Sequence, residues 1–434
     1  MLNFRKKLIL SGFIGNLLDA YDIAIFGYMT FYIASYFFIS SDPLMSLFKT
    51  FSIFAISYIV RPIGGIFFGF VADYMGRKKA FVASLLVMGT STTLIGLLPG
   101  YKQLGTLAIG LLLLMRMLQS FGAGGEYTNS IVFLYEHAKA SESTFITSFA
   151  GLGINTGNLI ASSVGGVLAM LMQNHVIGQW GWRIPFLLAG VGMILGLWVR
   201  HSLPETLVFI TQHREHWSMT LKQFCSKMRL DAKAHRSNYI SLVSLIWLGT
   251  ASTYLLYFYF PLHLSTIRHI VYAKSLTINT CSIALLVMLI PCFGYLSDKW
   301  GRKRFIIFAT IGYLIFAFPY YLALSYGNLL VIWIVQLGSA VLSAMFYSIA
   351  PSIIANSAPP AIRCTMTSLV YGLSSSVFGA TAPLIALGLI KLTGFAIAPA
   401  FYLMLSAACC LFCLLRVKPS TDEIRVEDLK LQSG

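Results

Sequence analysis

The sequence predicts an all-α membrane protein, with twelve transmembrane helices in two pseudo-symmetric six-helix bundles, and three observations predict it. Of its 434 residues, 57% are hydrophobic and only 11% are charged, with a mean hydropathy of +0.77. That charged share is about half the usual one and leaves too much apolar surface for a water-soluble core. Apolar runs of membrane-spanning length recur along the whole chain. The second observation is where the net charge of +16 resides. Basic residues gather in alternate connections: Arg5-Lys6-Lys7, Arg77-Lys78-Lys79, Arg200 to Arg236, Arg302-Lys303-Arg304, and Arg416 onward. The intervening connections carry little more than Lys49, Lys102, Arg183, Arg268, Lys274 and Lys391. This positive-inside pattern places both termini in the cytoplasm and argues against a nucleic-acid partner. The third is an internal repeat: "GFVADYMGRKK" from Gly69 returns as "GYLSDKWGRKR" from Gly294, 225 residues later.

The spans follow in order from the apolar runs between polar connections. The first half holds Leu8–Phe38, Phe48–Val71, Ala80–Leu98, Gly105–Tyr135, Thr144–Gln173 and Ile184–Arg200. The first run is too long for a secretory signal's apolar region and lacks a small-residue cleavage site, so it reads as a retained span. The second half holds Tyr239–Leu264, Leu276–Ser297, Phe305–Leu324, Leu329–Asn356, Thr365–Leu392 and Ala398–Leu415. An even number of spans agrees with both ends lying on one side. The domain division is therefore a bundle over 1–200, a cytoplasmic linker over 201–238, a second bundle over 239–416 and a short tail over 417–434. The linker holds an expected amphipathic helix from Met219 to Met228. The tail, "VKPSTDEIRVEDLKLQSG", is shorter than the three to four heptads of a stable coiled-coil seam. The seven cysteines form no CxxC pair and indicate neither a disulfide framework nor a zinc site.

Each repeated loop follows the second span of its half. Two parallel six-span halves are the construction of one large transporter class. The paired loops resemble the signature loop of the major facilitator superfamily, and the likeness spans essentially the whole chain. The resemblance implies a conformational latch made by Asp73, Gly76, Arg77, Asp298, Gly301 and Arg302. On physical grounds, Asp73 and Asp298 can meet a neighbouring helix N-terminus while the basic residues stay at the anionic membrane surface. A narrower likeness rests on "GNLLDAYDIAIFGY", "FAISYIVRPIGGIFFGFVADYMGRKK", "RMLQSFGAGGEY", "LYEHA", "WGWRIPFLLAG" and "SLPETLVF". Together they resemble the metabolite:proton symporter family, whose members carry proline and betaine, α-ketoglutarate, citrate or shikimate. The chain departs from that family in places: "DAYDI" stands for the usual E-W-Y-D-F, so Ala20 replaces a tryptophan; Asn356 stands where an acid is usual and "RCTM" where R-x-T-G is; and Ser143 stands where an arginine is usual.

Charges inside the spans are few: Asp19, Asp22, Arg61, Arg116 and Glu126. An Asp or Arg at mid-helix costs roughly 2.5–3.5 kcal/mol on insertion scales, so such groups face the bundle interior and mark pathways by default. Asn16, Asp19, Asp22 and Phe26 share a helical face, as do Arg116, Gln119, Ala123 and Glu126. Two carboxylates and two arginines are therefore expected on one wet cavity. The plainer alternative is that they are ion pairs that only fix helix packing. Arg183 reads as an interfacial anchor, and so does His263. Asp22 is the first choice for proton coupling, with Asp19 and Glu126 beside it, because desolvation favours the neutral acid and a nearby arginine the ionised one. Arg61 and Arg116 offer forked donors to a carboxylate, with Gln119 and Asn16 near them.

The second half carries no carboxylate between Asp298 and Asp422 or between Asp231 and Asp298. It offers aromatic faces instead: Tyr254, Tyr257 and Phe258, with Tyr347 and Tyr371 from later spans. Such faces hold a quaternary ammonium or an apolar substrate body. The expectation is a monomeric secondary transporter of the bacterial inner membrane. It takes up a small carboxylate-bearing metabolite or zwitterionic osmolyte with protons, by alternating access. The proton gradient is its energy source, no cofactor is involved, and its partners are the solute, protons and the bilayer. Ala20 leans the substrate towards something bulkier than proline. A solute sensor of the same fold is the first alternative. A drug/proton exporter is the second, weakened because the fifth span has no Gly-Pro motif. No catalytic triad, phosphate loop or metal cluster suggests an enzyme.

Overall fold

The structure, a computed structural model, describes residues 2–38, 43–201 and 221–416. They form helices almost throughout: eleven are long and apolar enough to cross a membrane, and twelve when the bent pair Gly12–Tyr28 and Thr30–Phe37 is one span. The twelve are Leu2–Tyr28 with Thr30–Phe37, Met45–Met75, Lys78–Leu97, Thr106–His137, Ser143–Gln173 and Gln179–Trp198, then Arg236–Ile267, Tyr272–Trp300, Arg302–Tyr326, Leu329–Ala355, Arg363–Thr393 and Pro399–Arg416. They are called the first to twelfth spans below. Large apolar side chains such as Trp198, Met288, Ile315 and Leu392 point outward. Polar ones such as Gln119, Asn279 and Gln336 are fully buried. A lipid solvent requires that inversion, since backbone and side-chain polar groups must find partners within the protein.

Within the first bundle the first span packs on the fifth, and the third on the fourth and sixth; within the second, the eighth packs on the tenth and the ninth on the twelfth. The two bundles meet chiefly where the fifth span packs on the eighth and the second on the eleventh.

Several spans are not continuous helices. The first bends by 57° at Met29. The second passes through a 3-10 turn at Tyr58–Val60, just before Arg61. The fourth breaks between Gly122 and Glu126. The seventh and eleventh each contain a π turn, Tyr254–Phe258 and Ser375–Gly379. Such breaks free backbone carbonyls, and here one is recaptured: Gln336 Nε2 donates to Leu256 O at 3.0 Å.

Two sequence expectations change. The linker helix runs Leu221–Ala234, further along the chain than expected, with Phe224 packed edge-on to Phe70 at 5.4 Å; Met219 lies outside the described residues. His263 is not interfacial but fully buried, between the rings of Tyr259 and Tyr321. Its span continues past it to Ile267, which carries the true end of the helix about 6 Å further on at 1.5 Å per residue. Arg183 is half-buried: it donates to Gly96 O (2.7 Å) and Tyr36 Oη (2.8 Å) and stacks on Trp182.

Candidate functional site

A cavity of about 90 Å³ lies between the bundles near mid-depth. Its wall includes Asp19, Ala20, Arg61, Tyr127, Asn158 and Tyr254, with Phe258, Tyr347 and Tyr371 closing the aromatic side. Arg61 is placed there by a close helix crossing. A Cβ on Gly64 would stand 2.0 Å from Phe121 O, and one on Gly124 would stand 2.4 Å from Arg61 O. Only glycine lets the second and fourth spans touch backbone to backbone. The Arg61 guanidinium lies over the rings of Tyr58 (5.1 Å) and Tyr371 (5.6 Å), one from each bundle. Tyr58 and Tyr254 hydroxyls meet at 2.6 Å across the same interface. The cation therefore sits on aromatic faces, with Asp19 in the same wall.

The expected convergence of two carboxylates and two arginines does not occur in this state. Of the residues singled out from the sequence, Asp19, Arg61, Tyr254, Phe258 and Tyr371 line the cavity; Asn16, Asp22, Arg116, Gln119, Glu126 and Tyr257 do not. Arg116 is fully buried behind the cavity, 4.1 Å from the Phe26 ring centre and 4.9 Å from that of Phe54. Its Nη1 donates to Gln119 Oε1. Gln119 Nε2 donates to Thr92 Oγ1 (2.6 Å) and to the backbone oxygen of Asp22 (2.9 Å), and Thr92 Oγ1 stands 3.1 Å from Asp22 Oδ2. Among the described residues no cation lies within salt-bridge distance of Asp22.

The reasons are geometric. Each residue turns an α-helix by about 100°, so a three-residue step leaves Asp19 and Asp22 roughly 60° apart. That is enough for one to face the partner bundle and the other the third span. On the fourth span, the break after Gly122 resets the helical phase, so Glu126 turns to accept from Ser84 Oγ at 2.7 Å. Asn16 donates to Ser130 Oγ at 2.8 Å, and Tyr257 to Ser343 Oγ at 2.8 Å. Thr92, Tyr127 and Asn158 were not anticipated. Each sits among other polar residues, Thr92 in a Thr-Ser-Thr-Thr run, Tyr127 in Glu-Tyr-Thr-Asn-Ser and Asn158 after Asn155-Thr156, so nothing in the sequence singles it out from its neighbours.

At the end carrying the basic loops, two cross-bundle contacts mirror each other. Asp73 Oδ2 accepts from the Thr365 backbone N–H (2.9 Å) and hydroxyl (2.8 Å), at the start of the eleventh span. Asp298 accepts from the backbone N–H groups of Thr144 (3.2 Å) and Phe145 (2.8 Å), at the start of the fifth. Both carboxylates thus cap a helix N-terminus in the other bundle, where the helix dipole favours negative charge. Gly76 and Gly301 take φ of 111° and 98° between consecutive spans, a region that favours glycine. Arg302 pairs with Asp298 at 3.6 Å and donates to Ser143 Oγ. The Arg77 side chain lies outside the described residues. The two contacts differ in what surrounds them. Beside Asp73, Arg363 forms a buried ion pair with Glu136 across the interface at 3.4 Å. At the equivalent positions beside Asp298 stand Ser143 and Asn356, both neutral.

At the opposite end the closure is uncharged. Tyr28 stacks on Phe258 (5.1 Å, 3° between planes), and Tyr272 Oη donates to Tyr28 O at 2.9 Å. Asn279 Nδ2 donates to Tyr28 Oη at 3.2 Å, and the hydroxyls of Ser162 and Thr280 meet at 2.8 Å.

Known proteins with this pattern are membrane transporters. The chain is 28% identical over 423 residues to the glycine betaine/proline/ectoine/pipecolic acid transporter of Dickeya dadantii, covering 96% of this chain and 84% of that protein. It is 28% identical over 408 residues to the proline/betaine transporter of Escherichia coli, covering 93% and 81%. A proton:xylose symporter structure bound to 6-bromo-6-deoxy-D-glucose superposes with a TM-score of 0.76 at 17% identity, over 95% of each chain, a likeness of fold. A sequence model of the Major Facilitator Superfamily matches residues 12–334 and 242–430. With both halves matched and the two bundles in place, this chain is a multi-pass membrane transporter, not an enzyme, and belongs to the Major Facilitator Superfamily.

Proposed function

We propose that this protein takes up a small zwitterionic solute of the proline/betaine kind together with protons, by alternating access across the bacterial inner membrane, with the basic loops and both termini in the cytoplasm. The observation that carries this reading is the mid-depth cavity in which Asp19 and Arg61 share a wall with Tyr127, Tyr254, Tyr347 and Tyr371. A carboxylate on the solute suits the forked donors of Arg61. An ammonium or quaternary nitrogen suits Asp19 and the aromatic faces. A polyanion such as citrate would meet Asp19 without a second cation in the wall, so the zwitterion is favoured over the organic acids. Ala20 in the same wall leaves room beside Asp19 and supports a solute bulkier than proline. The names of the transporters in Dickeya dadantii and Escherichia coli agree with that class.

About 90 Å³ is well below the roughly 300 Å³ or more of an ordinary small-molecule pocket. Contacts close both ends, so solute entry requires the bundles to rock apart. Proton coupling falls to the carboxylates of the first bundle: Asp22, whose carboxyl meets the Thr92 hydroxyl rather than a cation, with Asp19 at the cavity and Glu126 nearer the basic end. Arg116 and Gln119 act on Asp22 from behind the cavity, while Arg61 meets the solute.

Uptake of labelled glycine betaine, proline, citrate and α-ketoglutarate into proteoliposomes under an inward proton gradient tests this reading. Glycine betaine or proline should accumulate and the acids should not. Arg61→Lys keeps the charge but loses the fork, and should raise KM at least tenfold. Preferred accumulation of citrate, or an unchanged KM in Arg61→Lys, would overturn the substrate assignment.

A further inference from the structure

The hydrogen bonds around Asp22 leave one hydroxyl with two places to send its proton. Gln119 is fully committed: its Oε1 accepts from Arg116 Nη1, and its two amide hydrogens go to the Asp22 backbone oxygen (2.9 Å) and to Thr92 Oγ1 (2.6 Å). Arg116 has only donors, so it fixes which way round the amide stands. Thr92 therefore accepts from Gln119 and retains one hydrogen and one lone pair. Two oxygens compete for the hydrogen, Asp22 Oδ2 at 3.1 Å and the Met88 carbonyl at 2.9 Å, and only a protonated Asp22 can donate to the lone pair. All of these groups are buried; Asp22 is 3% exposed, and Thr92, Gln119 and Arg116 are fully enclosed.

We infer that Thr92 is a hydroxyl rotor that keeps Asp22 hydrogen-bonded in both of its protonation states, and so allows that buried carboxyl to load and unload a proton. When Asp22 is ionised, Thr92 donates to Oδ2. When Asp22 is protonated, its own O–H donates to Thr92 Oγ1, and the Thr92 hydrogen swings to the Met88 carbonyl. Neither Asp22 Oδ2 nor Thr92 Oγ1 is stranded in either state, whereas a buried polar group left without a partner is strongly disfavoured. The rotation transfers no proton between residues; the proton on Asp22 comes from and returns to water. The inference rests on the reading of Asp22 as the proton carrier. Thr92 is a positioning residue for it.

The titratable and charged groups around Asp22 come from two spans. Asp19 and Tyr21 share its own helix; Asp19 acts on Asp22 electrostatically, and Asp22 in turn acts on Tyr21. Arg116, through Gln119, and Glu126, bonded to Ser84, come from the fourth span. The fifth span has no charged residue, the sixth has among its described side chains only Arg183, which is bonded to Gly96 O and Tyr36 Oη at the start of that span, and the third presents Thr92 at this level.

The test is a pH titration of the Asp22 carboxyl by difference infrared spectroscopy on the purified protein, which needs no knowledge of the solute. The band missing in Asp22→Asn identifies the group. Thr92→Val keeps shape but removes the hydroxyl. Because a bond to a charged acceptor is stronger than one between neutral groups, the ionised form loses more. The midpoint should move to higher pH by about one unit, a tenfold change in proton affinity. Thr92→Ser, which keeps the rotor, should titrate with the wild type, and Thr92→Ala serves in place of the valine variant if that one fails to fold. A Thr92→Val midpoint equal to wild type would overturn the rotor while leaving Asp22 as carrier. A wild-type protein with no Asp22 band at any pH from 4 to 10 (roughly the range in which carboxyls titrate in folded proteins) would overturn both.

Discussion

Arg61 and Arg116 show how a single residue type finds two different solutions inside a membrane. Arg61 rests on one tyrosine from each bundle, so its environment changes whenever the bundles separate. Arg116 rests on Phe26 and Phe54 of its own bundle and bonds to Gln119, so its environment travels with it. The first is suited to sensing a solute and the second to holding a neighbour in place. Both placements depend on glycines that bring the second and fourth spans into contact. Gly64→Ala and Gly124→Ala force a Cβ to within 2.0 Å and 2.4 Å of a backbone oxygen that cannot yield cheaply. Each should destabilise the protein by about 1–3 kcal/mol, the usual range for overpacking. Gly110→Ala, which meets nothing within 4 Å, should be neutral. Thermal unfolding of the detergent-purified variants checks this, and equal midpoints for all three would show that the crossing tolerates a wider spacing.

At the scale of helices, the mirrored contacts at the basic end are unequal in strength. The Asp73 side is reinforced by the buried Arg363–Glu136 pair, whose side chains are only 4% and 1% exposed. Removing one partner from such a pair leaves a buried charge uncompensated, at a cost of about 3–5 kcal/mol. On the Asp298 side Arg302 is 23% exposed, and Ser143 offers it only a neutral acceptor. Glu136→Gln should therefore open the basic end far more than Ser143→Ala does. Ile354, in the cavity wall towards that end, provides the probe. In a background with native cysteines replaced, thiol labelling of Ile354→Cys from the basic side should accelerate at least tenfold with Glu136→Gln. The acceleration with Ser143→Ala should be under threefold, in keeping with the roughly 1 kcal/mol or less of an exposed interaction. Equal acceleration by the two would refute the asymmetry.

Across the whole molecule, the two ends of the cavity are closed by different chemistry. One end uses carboxylates, arginines and helix N-termini; the other uses stacked rings, amides and hydroxyls around Tyr28. Charge suits the end that faces water and anionic lipid headgroups, where loops rich in Lys and Arg are retained. That orientation predicts that reporter tags at Met1, within the connection 204–238 and after Gly434 all read out as cytoplasmic in cells. A periplasmic reading from any one of them would break the twelve-span topology.

The sequence by itself determined the membrane class, the number of spans, their grouping in two sixes and the paired loops. These are set by the solvent: hydrocarbon demands long apolar helices, and the anionic surface retains the basic residues whatever the helices do against each other. It also determined which few ionisable residues lie within the spans, because their rarity is visible without a fold. Only the tertiary structure decided which of them share a space. Helical spacing placed Asn16, Asp19, Asp22 and Phe26 within one broad arc, but neighbours at different azimuths divided that arc, giving Asp19 to the cavity and Asp22 to Thr92. The glycine break after Gly122 sent Glu126 to Ser84, which no uninterrupted helical period would have done. Tyr58 and Tyr254, 196 residues apart, met because two bundles closed against each other. Local pattern fixes what a span is; which faces become a site depends on contacts between chain segments that carry no mutual trace in one sequence.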